Sequence, residues 1–274
     1  MQDGLFFDWY SASVPASPEA LVLAFKVTYP HCVWEISRAR NGFTHGDCLV
    51  DQYGQTVLTM YYGGSRQGSN TFVFASGVHA AYFAETIRSQ FPAHQLVRAD
   101  VAIDYDEAGV WESLYGHALS VSRRCSLKNR YIGEAGCERS ATDVSGRTLY
   151  VGSRSSVSMI RVYEKGKKDD DTKPNWVRAE FEFKPKGEIA RKYFARASIQ
   201  EIANSTKLGV QFFSLLGVQV LSVPCRPGTV RIKTSHERAL DHLKKQYRNI
   251  LLAELELKGG SYEALGLSLL SDVA

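Results

Sequence analysis

The chain has 274 residues, of which 44% are hydrophobic, 23% charged and 11% aromatic, and that mix excludes disorder, collagen-like repeats and low-complexity classes. No apolar run approaches the roughly 18 residues of a membrane span, and the opening MQDGLFFDWY lacks the basic and apolar regions of a signal peptide, so neither a membrane nor a secreted protein is expected. Net charge is only +4, but between Arg123 and Lys192 stand 17 Lys and Arg against 10 Asp and Glu, a net of +7 that leaves −3 for the remainder.

FFDWYSASV (6–14) is rich in β-formers and reads as a strand. Pro15 to Pro18 break it, and Ser17-Pro18-Glu19 opens a helix through Lys26 with Ser as cap and Pro in the first turn. From Cys32 to Ser76 the turn pairs Asn41-Gly42, Tyr53-Gly54 and Gly63-Gly64 punctuate an antiparallel meander. A helix over 78–90 follows, its apolar side drawn from Val78, Ala81, Tyr82 and Ile87, and then LVRADVAIDYDE (96–107) is a strand. After a helix over 109–125 and a polar stretch to Gly146, TLYVGS (148–153) and SMIRVYEK (158–165) make a hairpin. Beyond the charged loop Lys167 to Lys173, NWVRAEFEFK (175–184) is the last strand. The remainder is helical: 198–206, an apolar piece near 209–217, and a long amphipathic helix from Ser235 to Lys258. Thr234 and Glu237 form its capping box, Gly259-Gly260 end it, and a short helix closes the chain.

Tyr62-x-Gly64-Ser65-Arg66 is echoed by Tyr150-x-Gly152-Ser153-Arg154. Each half of the region also runs strand, helix, hairpin. The expected fold is therefore α+β: one curved antiparallel sheet built from two similar strand–helix–hairpin halves, helices on one face, and a helical C-terminal region. The boundary is placed at 195, with 1–195 as one domain and 196–274 packed on it. Five scattered cysteines, never spaced as CxxC, exclude a disulfide framework or zinc site and fit a reducing cytoplasm.

Strand parity gathers the polar groups. Arg98, Asp100, Asp104 and Asp106 share one side of 98–106; Arg161, Tyr163 and Lys165 share one side of 158–165; Arg178, Glu180, Glu182 and Lys184 share one side of 176–184. If these strands are neighbours, several carboxylates converge, and they repel unless a hard cation or paired bases neutralise them. Oxygen donors suit Mg²⁺ or Mn²⁺ better than zinc. A metal beside a tyrosine and arginines suits phosphodiester chemistry, and the local basic charge suits a phosphate-facing surface. The bland alternative is a solvated face of cross-strand ion pairs. Seven dispersed histidines form no HxH or HEXXH pair, and neither GxxxxGK[ST] nor GxSxG occurs. SIQEIANSTKLGVQF (198–212) has a mild helix-turn-helix look, with helix packing as its plainer role.

RADVAIDYDE (98–107), GRTLYVGSRSSVSMIRVYEKG (146–166) and WVRAEFEFK (176–184), in that order and spacing, with FFDWYSASV at the start, resemble the Rep_trans-type rolling-circle replication initiators of staphylococcal-type plasmids and several filamentous phages. The resemblance covers roughly residues 5–195. It implies an enzyme that nicks one strand of an origin, single-stranded or in a hairpin, with Mg²⁺ or Mn²⁺. A tyrosine is joined to the new 5′-phosphate and a 3′-OH primer is left for host polymerase, with a host helicase as a further expected partner. Residue by residue, Tyr163 is expected as nucleophile and Tyr150 as its competitor, with Lys165 beside the reaction. Asp100, Asp104, Glu180 and Glu182 make the metal or acid–base set, with Asp8 a weaker addition, and Arg154, Arg161, Arg178 and Lys184 hold DNA phosphates. The C-terminal region departs from the plasmid members' specificity segment, so no origin preference carries over. Leu240, Leu243, Tyr247, Leu251 and Leu255 line one side of the long helix, expected to pack on a core, with a homodimer interface as the alternative. The competing function is a non-catalytic DNA-binding regulator or accessory protein; a scaffold without nucleic acid is the third.

Overall fold

The computed structural model describes residues 4–65, 68–133, 146–170, 172–219 and 235–271. β1 (Phe6–Val14) is followed by α1 (Pro18–Thr28), where the Ser17 side chain accepts a hydrogen bond from the Ala20 N–H at 3.4 Å and Pro18 sits in the first turn. β2 (Val33–Ile36), β3 (His45–Val50), β4 (Thr56–Tyr62) and β5 (Thr71–Ser76) form the expected meander. α2 (Ala80–Gln90) then buries Phe83, Ala84 and Ile87, whereas Val78 and Tyr82, expected on its apolar side, are exposed. The cause is a 3-10 turn at Gly77–His79, which delays the helix and rotates its inward face.

β6 (Gln95–Asp106) opens the second half, with α3 (Val110–Arg124), β7 (Asn129–Ile132), β8 (Thr148–Val151), β9 (Ser158–Glu164), a short α4 (Gly166–Asp169) and β10 (Trp176–Phe183) after it. β7 lies in the stretch read as merely polar; its four residues carry too little apolar pattern to announce an edge strand. α5 (Glu188–Arg196), α6 (Ile199–Ala203) and α7 (Lys207–Leu215) complete this unit.

The ten strands of the described residues join one open antiparallel sheet in the order β2-β3-β4-β5-β1-β6-β10-β9-β8-β7. Each half is a strand, a helix and a four-strand meander whose last strand returns to pair with the first. The two first strands, β1 and β6, meet antiparallel at the centre, so the halves are related by a pseudo-two-fold. The α+β duplication read from the sequence is therefore present. The motif echo, however, falls on the β4–β5 turn in one half and the β8–β9 turn in the other. By topology β4 corresponds to β9, so these turns are not equivalent; Arg66 itself lies outside the described residues.

The core lies between the sheet and its helices. Tyr10, Ala12, Ala99, Val101, Val177, Ala179 and Phe181 point from the central strands toward Phe25, Phe83, Leu114, Val121, Phe212 and Phe213. The 198–212 segment belongs to that core. Leu208, Val210, Phe212 and Phe213 are buried, and a Cβ on Gly209 would stand 2.0 Å from the Ala203 carbonyl, so α6–α7 is a packing unit.

The chain divides into two compact units, Met1–Pro227 and Gly228–Ala274, so α6 and α7 lie in the first. In the second, α8 (Ser235–Leu257) and α9 (Tyr262–Leu270) contact each other. α8 has no buried residue, and Leu240, Leu243 and Tyr247 are exposed. Thr234 of the expected capping box lies outside the described residues. Among the described residues no helix is long and apolar enough to cross a membrane.

Candidate functional site

Register puts the polar groups side by side on the sheet face opposite the helices. Asp104 pairs across β6–β10 with Arg178, which pairs with Tyr163; Glu180 lies between Ala102 and Arg161; Asp100 faces Glu182. Tyr150 faces Arg161 across β8–β9. β1 joins this face through a bulge between Phe7 and Trp9, which sets Trp9 opposite Asp100 and Phe6 opposite Ala102.

The face is ion-paired, as the bland reading requires, but its carboxyls are not solvated. Asp100 and Glu180 are each 2% exposed. Arg178 donates to both Asp104 oxygens at 2.6–2.7 Å and to Asp8 at 2.5 Å. Arg161 Nη2 donates to Glu180 at 2.7 Å; Arg98 grips Asp100 and lies 2.9 Å from Glu182, which Lys184 also meets at 2.5 Å. Aromatic rings supply the cover. Arg178 lies 4.9 Å from the Phe6 ring centre and 5.6 Å from that of Trp176; Arg98 lies 4.8 Å from that of Trp9, and Arg161 4.7 Å from that of Tyr163. Sequence parity could not show Phe6 and Trp9 on one face, because the bulge shifts the alternation between them.

The carboxyls fall into two groups. Asp104 belongs with Asp8 and Arg178, whereas Asp100, Glu180 and Glu182 stand together. Burial, then mutual repulsion, pushes the Asp100 carboxyl well above the usual range despite Arg98, and burial raises Glu180 despite Arg161. Burial and the closeness of the two carboxyls thus favour the protonated form of the pair. Among the described residues no group of three or more His, Cys, Asp or Glu side chains is arranged to hold a metal ion. The donor chemistry of Asp100, Glu180 and Glu182 suits Mg²⁺ or Mn²⁺, but each is turned toward a basic partner.

The two tyrosines share the face and differ in access. Tyr163 is 7% exposed, and burial, reinforced by Glu180, raises its phenol. Tyr150 is half-buried, with the exposed Arg154 guanidinium 5.6 Å from its ring centre. Lys165 is held by Asp169 and lies 5.1 Å from the Trp176 ring centre. The Lys184 ammonium donates to the Arg154 carbonyl at 2.8 Å, which ties β10 to the β8–β9 turn. Every residue singled out from the sequence thus lies on or beside one face, although Arg178 is committed to two carboxylates.

Residues 94–212 match the family model Rep_trans, described as replication initiation factor. The Rep_trans resemblance therefore holds over residues 94–212, compared with the 5–195 read from the sequence. The matched stretch runs from β6 into α7 and carries the ion-paired face except for Asp8 of β1. In fold the chain is similar to a rolling circle replication initiator protein from Geobacillus stearothermophilus, at 16% identity and a TM-score of 0.51, over 80% of this chain and 100% of that one. No curated protein is similar enough in sequence to match the chain.

Proposed function

We propose that this protein starts rolling-circle replication by nicking one strand of a DNA origin and keeping the new 5′ end on a tyrosine. The observation that carries the reading is the row Tyr150–Arg161–Glu180, which crosses three neighbouring strands of the helix-free face within the Rep_trans match. At roughly 4.8 Å per strand, Tyr150 stands about 10 Å from Glu180 along the sheet, with Arg161 between them. A phosphodiester lying on that row meets a phenol, a guanidinium and a carboxyl from one side.

The Tyr150 hydroxyl oxygen bonds to phosphorus, the bond from phosphorus to the 3′ oxygen breaks, and that oxygen takes up a proton to become the primer 3′-OH. The phenol releases its proton to solvent in the attack, and Glu180, two strands away, holds Arg161 in place beside the phosphate. Arg161 and Arg154 offset the charge that gathers on the phosphoryl oxygens. One phosphoester replaces another, so the link is reversible and a later 3′-OH can displace the tyrosine. Asp100, Glu180 and Glu182 would hold a divalent cation only by releasing Arg98, Arg161 and Lys184, so no step here is routed through a metal.

Access favours Tyr150 over Tyr163 as the nucleophile. Tyr163 lies under the Arg161 guanidinium with little open surface, a position that suits supporting Arg161 and Arg178. The competing reading, a DNA-binding protein without nicking, draws on one observation: the carboxyls of this face are already held by basic side chains.

Single-stranded and supercoiled DNA carrying the replicon's origin, incubated with Mn²⁺ and resolved on denaturing gels, separates these readings. Wild type and Tyr163→Phe are expected to give a protein–DNA adduct and Tyr150→Phe none. Loss confined to Tyr163→Phe would keep the function and move the nucleophile; no adduct from wild type would leave DNA binding alone.

A further inference from the structure

The pseudo-two-fold gives the first half a face equivalent to the one just described, and its chemistry is different. Where β9 and β10 carry Arg161, Tyr163, Arg178, Glu180 and Glu182, the corresponding β4 and β5 carry Tyr61, Phe72 and Phe74. Phe43 from the β2–β3 connection and Trp9 from β1 extend the set. Trp9 and Phe74 stack with ring centres 4.9 Å apart and planes 12° apart; Phe72 stacks on Phe43 at 6.1 Å and on Tyr61 at 6.2 Å. Trp9, Phe43, Phe72 and Phe74 are only half-buried.

This aromatic strip floors a groove of about 430 Å³ whose rim includes Arg40, Arg98, Lys184, Lys186 and Arg191. Arg40, Lys186 and Arg191 have no carboxylate partner among the described residues. Rings half open to solvent, bordered by unpaired cations, are the two components of single-strand recognition: base faces stack on the rings and the sugar-phosphate chain follows the charge. Continuity with the proposed reaction site supplies the reason for such a surface. Trp9 faces Asp100 across β1–β6, and Arg98 lies over the Trp9 ring while gripping Asp100, so the strip ends one strand from the buried carboxyls.

We infer that Trp9, Phe72 and Phe74 form a base-stacking platform for single-stranded DNA, which holds the strand leading to the Tyr150–Arg161–Glu180 row. The inference rests on the DNA-processing reading above and adds the segment of substrate that the first half binds. Stacking tolerates any base, so the platform supplies grip, and sequence choice lies elsewhere.

The test is fluorescence anisotropy of the full chain with a short labelled oligo(dT) and with an abasic strand of equal length, over a series of salt concentrations. Wild type is expected to bind oligo(dT) about tenfold or more tighter than the abasic strand. Phe72→Leu and Phe74→Leu keep apolar bulk but remove the ring. Each is expected to lose about tenfold for oligo(dT) with an unchanged salt slope, while Lys186→Ala lowers the slope by about one. Thermal melting checks that the leucine variants stay folded, and the wild-type comparison needs no variant. Equal wild-type affinity for both strands overturns the platform, as do folded leucine variants that bind like wild type. A solution dimer abolished by Phe74→Leu, with oligo(dT) binding unchanged, would assign the face to a second copy and overturn it too. The variants leave Tyr150, Arg161 and Glu180 in place, so an adduct from wild type without base-dependent binding sinks the platform alone. Base-dependent binding without any adduct sinks the nicking reading alone.

Discussion

At the scale of single residues, Asp100 and Glu180 set how the site responds to pH. Their raised carboxyls favour the folded state while protonated, so that contribution is full below the ordinary carboxylate range and is lost as pH rises through the elevated titration of the pair. Glu180→Gln and Asp100→Asn imitate the protonated form. Both are expected to melt with a flatter loss of Tm on raising the pH, and both are expected to lower the yield of DNA adduct because Arg98 or Arg161 loses the carboxylate that holds it; a calorimetric series alongside the denaturing gel checks the two halves together. Arg178 answers to a different balance. Its removal in Arg178→Met leaves Asp8 and Asp104 facing each other without a cation, and a cost of about 3–5 kcal/mol is expected in urea unfolding. Arg154→Ala, at an exposed guanidinium with no carboxylate partner among the described residues, is expected to cost under about 0.5 kcal/mol.

At the scale of elements, the parity argument works wherever a strand runs without interruption. β6, β9 and β10 pair in continuous register, so the alternation in RADVAIDYDE, SMIRVYEK and WVRAEFEFK reports their faces directly. β1 does not comply. Its bulge beside Asp8 brings Phe6 and Trp9 onto the face that alternation alone would divide, and no residue in FFDWYSASV announces the extra position. Burial was less legible than facing. Nothing in the spelling of a strand says that arginine–aromatic stacks will cover its carboxylates, so the same sequence fits a solvated face and a desolvated one. β7 and the true phase of α2 were hidden for local reasons, a four-residue edge strand and a 3-10 turn. The α6–α7 pair shows how packing replaces an apparent recognition motif. Gly209→Ala forces a methyl against the Ala203 carbonyl, and thermal denaturation is expected to register about 1–3 kcal/mol or more of lost stability. An unchanged Tm would mean that the two helices can separate at little cost.

At the scale of the whole molecule, the duplication divides the work: one half presents ionisable groups and tyrosines, the other a strip of aromatic rings, whose basic rim comes mostly from the first of these. His94, where the halves meet, links folding to acid. Its imidazole is buried against the Tyr10 hydroxyl at 2.8 Å, and burial holds its pKa down to about 4. Because the unfolded chain takes up that proton first, the stability is present above about pH 6.5 and is lost as pH falls toward 4, roughly 3 kcal/mol at full extent. His94→Gln is expected to flatten wild type's loss of Tm over that interval. The central claim remains that a tyrosine of the helix-free face becomes bonded to DNA, and peptide mapping of the trapped adduct tests it most directly. Trypsin releases Tyr150 in TLYVGSR and Tyr163 in VYEK, so mass spectrometry after nuclease trimming reads the attachment point. A nucleotide-5′-phosphate on TLYVGSR is the predicted result; wild-type protein with both peptides unmodified, after incubation with origin DNA and Mn²⁺, would contradict the account.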